Sequence, residues 1–171
     1  MALTQPKWPR VLPTRLVVGL ATLGPIGMKL PAPGTWGSLA GLLYFLLFFR
    51  HSRWEVIFAW AAVAGYLAVA FCGEAEKRMG RKDPGEVILD EFVVMPLVFF
   101  GWRSGGLQAW PDWAVLLAGF ALFRFYDITK WFGIRRLQDW PDGWGVVIDD
   151  VAAAFAACFT VHLAAWLWTF R

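Results

Sequence analysis

Acidic side chains occur in this sequence at places where the surrounding apolar residues would be expected to exclude them. Five of the 13 Asp and Glu residues lie inside or at the ends of apolar runs: Asp90, Glu91, Asp127, Asp149 and Asp150. A charge at the centre of a membrane helix costs about 2.5–3.5 kcal/mol, so several together need ion pairing, a metal ion or water. Oxygen ligands without His or Cys nearby suit a hard cation such as Mg²⁺ or Mn²⁺. We therefore predict that these five acids bind metal.

Basic and hydroxyl side chains accompany the acids. Carboxylates, a divalent cation and a basic clamp are together typical of phosphoryl chemistry, in which positive groups neutralise the phosphate oxygens. At a membrane surface, the natural substrate is a phospholipid head group. The predicted catalytic residues are Asp127, Asp150, Arg124 and Lys130, and the predicted substrate-binding residues are Thr35, Ser38, Arg124 and Lys130.

Each of these groups also has a purely structural interpretation. Asp83 and Glu86 flank Pro84 as in a helix N-cap and capping box, so they are secondary candidates for the site. The two hydroxyls could cap a helix, and the basic residues around Asp127 could form an ion-paired helix face. The adjacent pair Asp149-Asp150 could complement a helix dipole. We favour a common site because all of these groups are predicted to meet at one end of a helical bundle.

Composition indicates the elements that would position these residues. The 171 residues are 58% hydrophobic and 17% charged. This apolar content exceeds what a soluble domain of this size can bury. We predict an all-α, polytopic membrane bundle that forms a single domain over residues 1–171. Residues 1–30 form an N-terminal cytoplasmic or interfacial segment, in which Leu16–Ile26 is interfacial or re-entrant. The five predicted spans are Trp36–Phe49, Trp54–Cys72, Val87–Trp102, Trp110–Tyr126 and Val151–Phe170.

The distribution of basic residues predicts the orientation of these spans. With five spans, eleven Lys and Arg residues fall on the N-terminal side and four on the other. The positive-inside rule then places the N-terminus in the cytoplasm. All of the candidate site residues lie near span ends on that same side. The sequence therefore predicts a carboxylate-rich site on the cytoplasmic rim.

Other functions fit the sequence less well. A net charge of +3 without dense basic clusters gives no indication of nucleic-acid binding. Cys72 and Arg78 have the spacing of a cysteine-dependent phosphatase loop, but Glu74 and Glu76 would repel a phosphate. The two histidines, His51 and His162, lie in the opposite half of the topology and receive no role. A divalent-cation transporter remains an alternative, although it predicts acids spread through the depth of the bilayer.

The candidate site residues lie in four short segments. In order, these are Pro33-Gly34-Thr35-Trp36-Gly37-Ser38, the run from Asp83 to Val93, the run from Phe123 to Lys130, and the run from Gly143 to Ala152. Together the four segments resemble the phosphatidylglycerophosphatase A family of bacterial inner-membrane lipid phosphatases. Their order and spacing are specific, and the similarity covers about residues 30 to 155. The resemblance implies a lipid phosphatase of the bacterial inner membrane. It also implies Mg²⁺-dependent removal of the terminal phosphate of phosphatidylglycerophosphate, which gives phosphatidylglycerol.

The chain departs from the family pattern at four positions. Trp131 and Gly133 replace two prolines after the third motif, and Val94 and Ala154 replace glycines. None of these changes removes a carboxylate or a basic residue, but they bear on head-group selectivity. A phosphatase for another lipid phosphate, such as phosphatidic acid, is therefore an alternative. The sequence also leaves open whether the reaction uses a metal-activated water or an aspartyl-phosphate formed on Asp127.

Overall fold

A computed structural model describes residues 4–102, 105–131 and 133–170. In these ranges the regular structure is entirely helical, which confirms the predicted all-α class. The α-helices are α1 (Thr14–Ala21), α2 (Pro25–Lys29), α3 (Pro33–Tyr44), α4 (Trp54–Met79), α5 (Leu89–Val98), α6 (Asp112–Thr129) and α7 (Gly143–Trp168). Helix α3 continues as a π-helix over Phe45–Phe49, and 3₁₀ helices cover Trp8–Val11, Gly105–Ala109 and Ile134–Asp139.

Two helices, α4 and α7, are long and apolar enough to cross a membrane. Each has 26 residues and would extend about 39 Å, more than the roughly 30 Å hydrocarbon layer. The segment Pro33–Phe49 is apolar but shorter. Helix α6 has 18 residues and carries charged residues near both ends. Length and composition therefore identify two candidate spans among the described residues.

The third predicted run forms a shorter helix than expected. Val87–Trp102 was predicted as a span, but α5 contains only ten residues, about 15 Å of helix. A non-helical loop precedes it, in which Asp83 has a positive φ of 46°. A turn follows it at Gly101, where φ is 73°. Helix α5 nevertheless lies at the centre of the fold, where it packs against α3, α4 and α7.

Helix α7 begins earlier than predicted. The fifth run was expected to start at Val151, with Asp149 and Asp150 at its lip, but the helix starts at Gly143. Gly143 lies directly against α4, where a β-carbon would meet the backbone of Val69 and Gly73. The buried side chain of Gln5 bridges the same junction: its Nε2 donates to Val69 O at 3.0 Å, and its Oε1 accepts from Gly143 N at 3.1 Å. The two aspartates therefore lie in the second turn of a long helix, and both are buried.

The N-terminal segment folds as short helices against the bundle. Leu16–Ile26 was predicted as one interfacial or re-entrant piece, and the structure divides it between α1 and α2 at Gly24, where φ is 63°. Val17 and Ala21 of α1 are fully buried. Arg78 of α4 donates to the carbonyls of Pro9 and Leu12 at 3.0 and 2.8 Å. These contacts fix the segment to α4.

The helix ends form two groups. At one end Arg50 pairs with Asp112, and Trp54 packs edge-on against Phe100 at 6.3 Å between ring centroids. The end of the α3 segment, the start of α4, the end of α5 and the start of α6 therefore lie together at this end of the bundle. The start of α5 and the end of α6 lie at the other end. Four basic residues were predicted on the side opposite the N-terminus, and two of them, Arg103 and Arg171, lie outside the described residues.

Candidate active site

Three carboxylates from two helices converge in the interior. Asp90 and Glu91 belong to the first turn of α5, and Asp150 belongs to the second turn of α7. An oxygen from each carboxylate lies within 4.8 Å of the other two. Asp90 is 5% and Asp150 is 3% exposed. Such spacing suits the coordination of one hard cation by carboxylate oxygens.

Arg124 connects this group to α6 and α3. Its Nη1 lies 2.7 Å from Asp127 Oδ2 and 3.5 Å from Glu91 Oε1. The same nitrogen donates to Ser38 Oγ at 3.3 Å. Ser38 is buried inside α3 and donates to Gly34 O at 2.8 Å, so it does not cap that helix. A guanidinium held from three helices can present its remaining donors to an anionic group.

Lys130 lies among three aspartates. Its Nζ lies 2.9 Å from Asp127 Oδ1, 2.5 Å from Asp149 Oδ2 and 3.8 Å from Asp150 Oδ1. The residue ends α6 in the left-handed conformation, with φ of 52°, which turns its side chain back toward the site. Burial of the ammonium acts to lower the pKa of Lys130, but the carboxylates of Asp150, Asp127 and Asp149 outweigh it and raise that pKa above its ordinary value. Lys130 is therefore protonated at neutral pH.

Acidic groups outnumber basic groups in this recess. Of the five predicted acids, Asp90, Glu91 and Asp150 lie close to one another. Two cations, Arg124 and Lys130, contact four of the five acids, all except Asp90. Three carboxylates thus lack a cation if all are ionised, which is costly in a buried site. Two buried polar atoms, Glu91 Oε2 and Arg124 Nε, also find no hydrogen-bond partner among the residues that the structure describes. A divalent cation at Asp90, Glu91 and Asp150 would offset the excess charge, so the residues fit such an ion.

Two glycines of α3 allow its N-terminus to approach the site. A β-carbon at Gly34 would overlap Glu91 Oε1 and would lie 3.2 Å from both terminal nitrogens of Arg124. A β-carbon at Gly37 would lie 2.9 Å from Ile88 Cβ and 3.4 Å from Glu91 Oε2. No role was predicted for these glycines from the sequence, although small residues in the Pro33–Ser38 motif indicate close packing. They set the distance between α3 and α5.

A Gly34→Ala substitution is expected to lower activity about 10- to 100-fold, because the new methyl group displaces Glu91 and Arg124 from each other. Global stability should change little, since Gly34 is only partly buried. The matched control is Gly65→Ala on α4, where a β-carbon meets nothing within 4 Å. Release of phosphate, the reaction expected from the sequence, and thermal unfolding of both purified variants check this. Wild-type activity of the Gly34 variant would contradict the proposed tight contact.

The remaining predicted residues lie outside this cluster. Thr35 is exposed, and no side-chain hydrogen bond of Thr35 is present in the described part of the chain. Glu86 is bound by Arg81 at 2.8 Å, and that hydrogen bond holds the pKa of Glu86 below its ordinary value. Asp83 is exposed, and its carboxylate accepts a hydrogen bond from Gln138 Nε2 at 3.5 Å.

The capping interpretation of the second motif is wrong. Helix α5 starts at Leu89, six residues after Asp83, so neither Asp83 nor Glu86 occupies a cap position. The Asp83 N–H instead donates to Glu76 Oε1 of α4 at 2.5 Å. Glu76 therefore organises the loop that leads into the site, a role that its position in a charged stretch did not reveal.

The cysteine-based alternative also lacks structural support. Cys72 is fully buried, and Arg78 binds Glu74 at 2.9 Å together with the backbone of the N-terminal segment. The two residues thus form no phosphate-binding loop. Cys158 is buried as well and is a free thiol, as is Cys72.

Fold and site together define a class: an all-helical protein with membrane-crossing candidates and a buried recess of carboxylates and cations. The chain belongs to the phosphatidylglycerophosphatase A family, whose model matches residues 19–165. It is 38% identical over 138 residues to phosphatidylglycerophosphatase A of Haemophilus influenzae, covering 79% of this chain and 80% of that protein. It is 32% identical over 145 residues to the Escherichia coli K12 protein of that name, covering 83% and 79%.

A further relative carries a different name. A protein of Bacteroides thetaiotaomicron, provisionally named a phosphatidylinositol-3-phosphatase, is 30% identical over 166 residues, which cover 94% of this chain and 98% of that protein. No solved structure matches the chain. The matched region, residues 19–165, includes every residue of the cluster described above.

Proposed function

We propose that this chain hydrolyses the terminal phosphate of phosphatidylglycerophosphate, giving phosphatidylglycerol and inorganic phosphate. Membership of the family supports the reaction, because two relatives that cover most of the chain carry the corresponding name. The observation that carries the proposal is the junction of Asp90, Glu91 and Asp150 with Arg124 and Lys130 in one recess. This combination of groups is suited to a phosphate dianion and a divalent cation.

Five membrane crossings are compatible with the helix ends. Helices α4 and α7 are long enough, and the segment Pro33–Phe49 and α6 would cross with their ends at the interfaces. Helix α5 would cross together with its flanking loops, since Phe100 reaches the level of Trp54. Under this arrangement the cluster lies about 9 Å inside the start of α7, on the side that the basic residues mark as cytoplasmic. The bacterial inner membrane is the expected location.

Mg²⁺ is the expected cofactor, held by Asp90, Glu91 and Asp150. Bound there, the cation would supply positive charge to the phosphate oxygens and acidity to a coordinated water. Asp127 and Asp149 have a different environment, because Lys130 contacts both and Arg124 contacts Asp127. We assign Asp127 and Asp149 to positioning the side chains of Arg124 and Lys130 rather than to direct binding of the metal.

Arg124 and Lys130 are proposed to bind the phosphate that is removed. Hydrolysis forms a bond between a water oxygen and phosphorus and breaks the bond from phosphorus to the glycerol oxygen, which leaves with a proton. Asp127 is poorly placed as a nucleophile, because one of its oxygens lies 2.7 Å from Arg124 and the other 2.9 Å from Lys130. The geometry thus favours attack by water over an aspartyl-phosphate.

The transporter alternative has less support. Helix α7 carries Asp149 and Asp150 near its start and no further acid as far as Trp168. In α4 the acids are Glu55 near one end and Glu74 and Glu76 near the other. An ion path would need polar groups between these levels. The acids instead gather near the helix ends, as a site reached from one side requires.

The head group is tested with a panel of lipid phosphates. We expect kcat/KM in detergent with Mg²⁺ to be at least about tenfold higher for phosphatidylglycerophosphate than for phosphatidic acid or phosphatidylinositol 3-phosphate. Release of phosphate is the readout. Preference for the inositol lipid would assign this chain the activity named for the Bacteroides relative, and preference for phosphatidic acid would overturn the proposed substrate.

A further inference from the structure

An apolar groove runs along the outer face of α3. It has a volume of about 410 Å³, and its walls come from α2 and α3. Trp36 lies at one end of the groove and is 42% exposed. The other lining residues that matter here are Ile26, Leu30, Leu39, Ala40, Leu43 and Leu46. All of these side chains are apolar, so the groove offers hydrocarbon contacts and no acid or base.

The groove and the candidate active site share one helix. Gly34, Gly37 and Ser38 of α3 face the cluster, where they approach Glu91, Ile88 and Arg124. Trp36 and Leu39, between and beside them in sequence, line the groove on the other side of the same helix. Only the first turn of α3 therefore separates the end of the groove at Trp36 from the Arg124 guanidinium.

The groove has the depth of one lipid leaflet. From Trp36 to Leu46 is ten residues, or about 15 Å along a helix axis. The hydrocarbon core of a bilayer is about 30 Å thick, so its half-thickness matches the groove. Trp36 would lie at the head-group level, where tryptophan is favoured, and Leu46 would lie near the bilayer midplane.

Charge at the Trp36 end suits an anionic lipid. Lys29 is the last residue of α2, directly before the groove residue Leu30, and it is exposed. No ion-pair partner of Lys29 is found within the described ranges. Thr35 precedes Trp36 in the first turn of α3 and is exposed. An ammonium and a hydroxyl at the interface complement the phosphodiester that joins a lipid head group to the diacylglycerol.

We propose that this groove holds one acyl chain of the lipid substrate while the terminal phosphate lies at Arg124 and Lys130. The proposal rests on the proposed function and adds to it a lipid-binding subsite on α2 and α3. The diacylglycerol part remains in the membrane, and the head group passes the first turn of α3 at Thr35 to reach the buried cluster. Recognition of the chain makes activity depend on acyl length.

The test compares long- and short-chain substrates in an Ala40→Trp variant. The indole ring would fill the groove, so we expect KM for dioleoyl phosphatidylglycerophosphate in mixed micelles to rise about tenfold. KM for the dibutanoyl analogue should change less than about twofold, because its chains are too short to occupy the groove. The matched control is Ala62→Trp, which adds the same ring to an exposed position of α4.

A second variant tests the same groove in case Ala40→Trp impairs folding. Leu43→Ala removes a wall of the groove without adding bulk, and it should also raise KM selectively for the long-chain substrate. Equal long-to-short KM ratios in both groove variants and wild type would overturn the groove while leaving the phosphatase function intact. Loss of activity on both substrates in both variants would also contradict it. Absence of activity in the wild-type protein would instead refute the proposed function itself.

Discussion

An Asp150→Asn variant is expected to release phosphate from phosphatidylglycerophosphate on the order of 10³-fold more slowly than the wild-type protein. Asp150 is 3% exposed, and one of its oxygens lies within 4.8 Å of carboxylate oxygens of Asp90 and Glu91. An amide has nearly the same shape as a carboxylate but lacks the negative charge that holds a divalent cation. The loss should therefore appear in kcat and in binding of Mn²⁺, measured by electron paramagnetic resonance.

Stability of the metal-free Asp150→Asn protein should change in the opposite direction. The substitution removes one of several like charges from a buried cluster, so the unfolding temperature without metal should stay the same or rise. Glu55→Gln, an acid-to-amide change at a partly exposed position at the far end of α4, is the matched control and should leave activity unchanged. An Asp150 variant that binds Mn²⁺ and turns over like the wild type would remove Asp150 from the site.

A Lys130→Met variant is expected to lose both activity and stability. The Lys130 ammonium lies within 4 Å of Asp127, Asp149 and Asp150, so its removal leaves buried carboxylates without a counter-charge. Removing one partner of a buried ion pair typically costs about 3–5 kcal/mol. Because the same ammonium is proposed to bind phosphate, we expect kcat/KM to fall about 10²- to 10³-fold. Detergent-solubilised protein is measured by thermal unfolding and by phosphate release.

Lys130→Arg separates the two contributions. The guanidinium keeps the positive charge, so most of the stability should return, but its planar shape cannot reproduce the contacts of a compact ammonium. Activity should therefore recover only in part. A Met variant as stable and as active as wild type would show that the three aspartates need no cation from residue 130.

The position of the site could be anticipated because burial makes charge costly. Asp90, Asp127 and Asp150 lie in apolar segments far apart in sequence, and only a shared polar recess lets a bundle keep all three. Alternating direction of successive helices then predicts that these segments meet at one end. The structure brings the five acids, Arg124, Lys130 and Ser38 together, while their chemical roles stay predictions.

Helix limits could not be derived in the same way. The fifth span was predicted from Val151, but Gly143 and Gly145 already belong to α7. Both glycines lie in close contacts, since a β-carbon there would meet the backbone of α4 or the carbonyls of Gln138 and Trp140. Periodicity does not record such tertiary contacts. The apolar run from Val87 to Trp102 likewise concealed a helix of only ten residues, since loops buried in a bundle are as apolar as spans.

Roles within the cluster depend on distances that spacing along the chain does not contain. All five acids were predicted to bind metal, but they separate into two groups. Asp90, Glu91 and Asp150 lie close to one another, whereas Asp127 and Asp149 bind Lys130. Thr35 and Ser38 share a motif, yet only Ser38 contacts Arg124. Side-chain direction on a helix decides both distinctions.

The most direct test is Mg²⁺-dependent release of phosphate from phosphatidylglycerophosphate by the purified protein in detergent. The site predicts activity that is abolished by a chelator, restored by Mg²⁺, and severely reduced in both Asp127→Asn and Asp150→Asn. Full activity of both variants, or full activity in the presence of the chelator, would contradict a carboxylate-held cation as the centre of this enzyme.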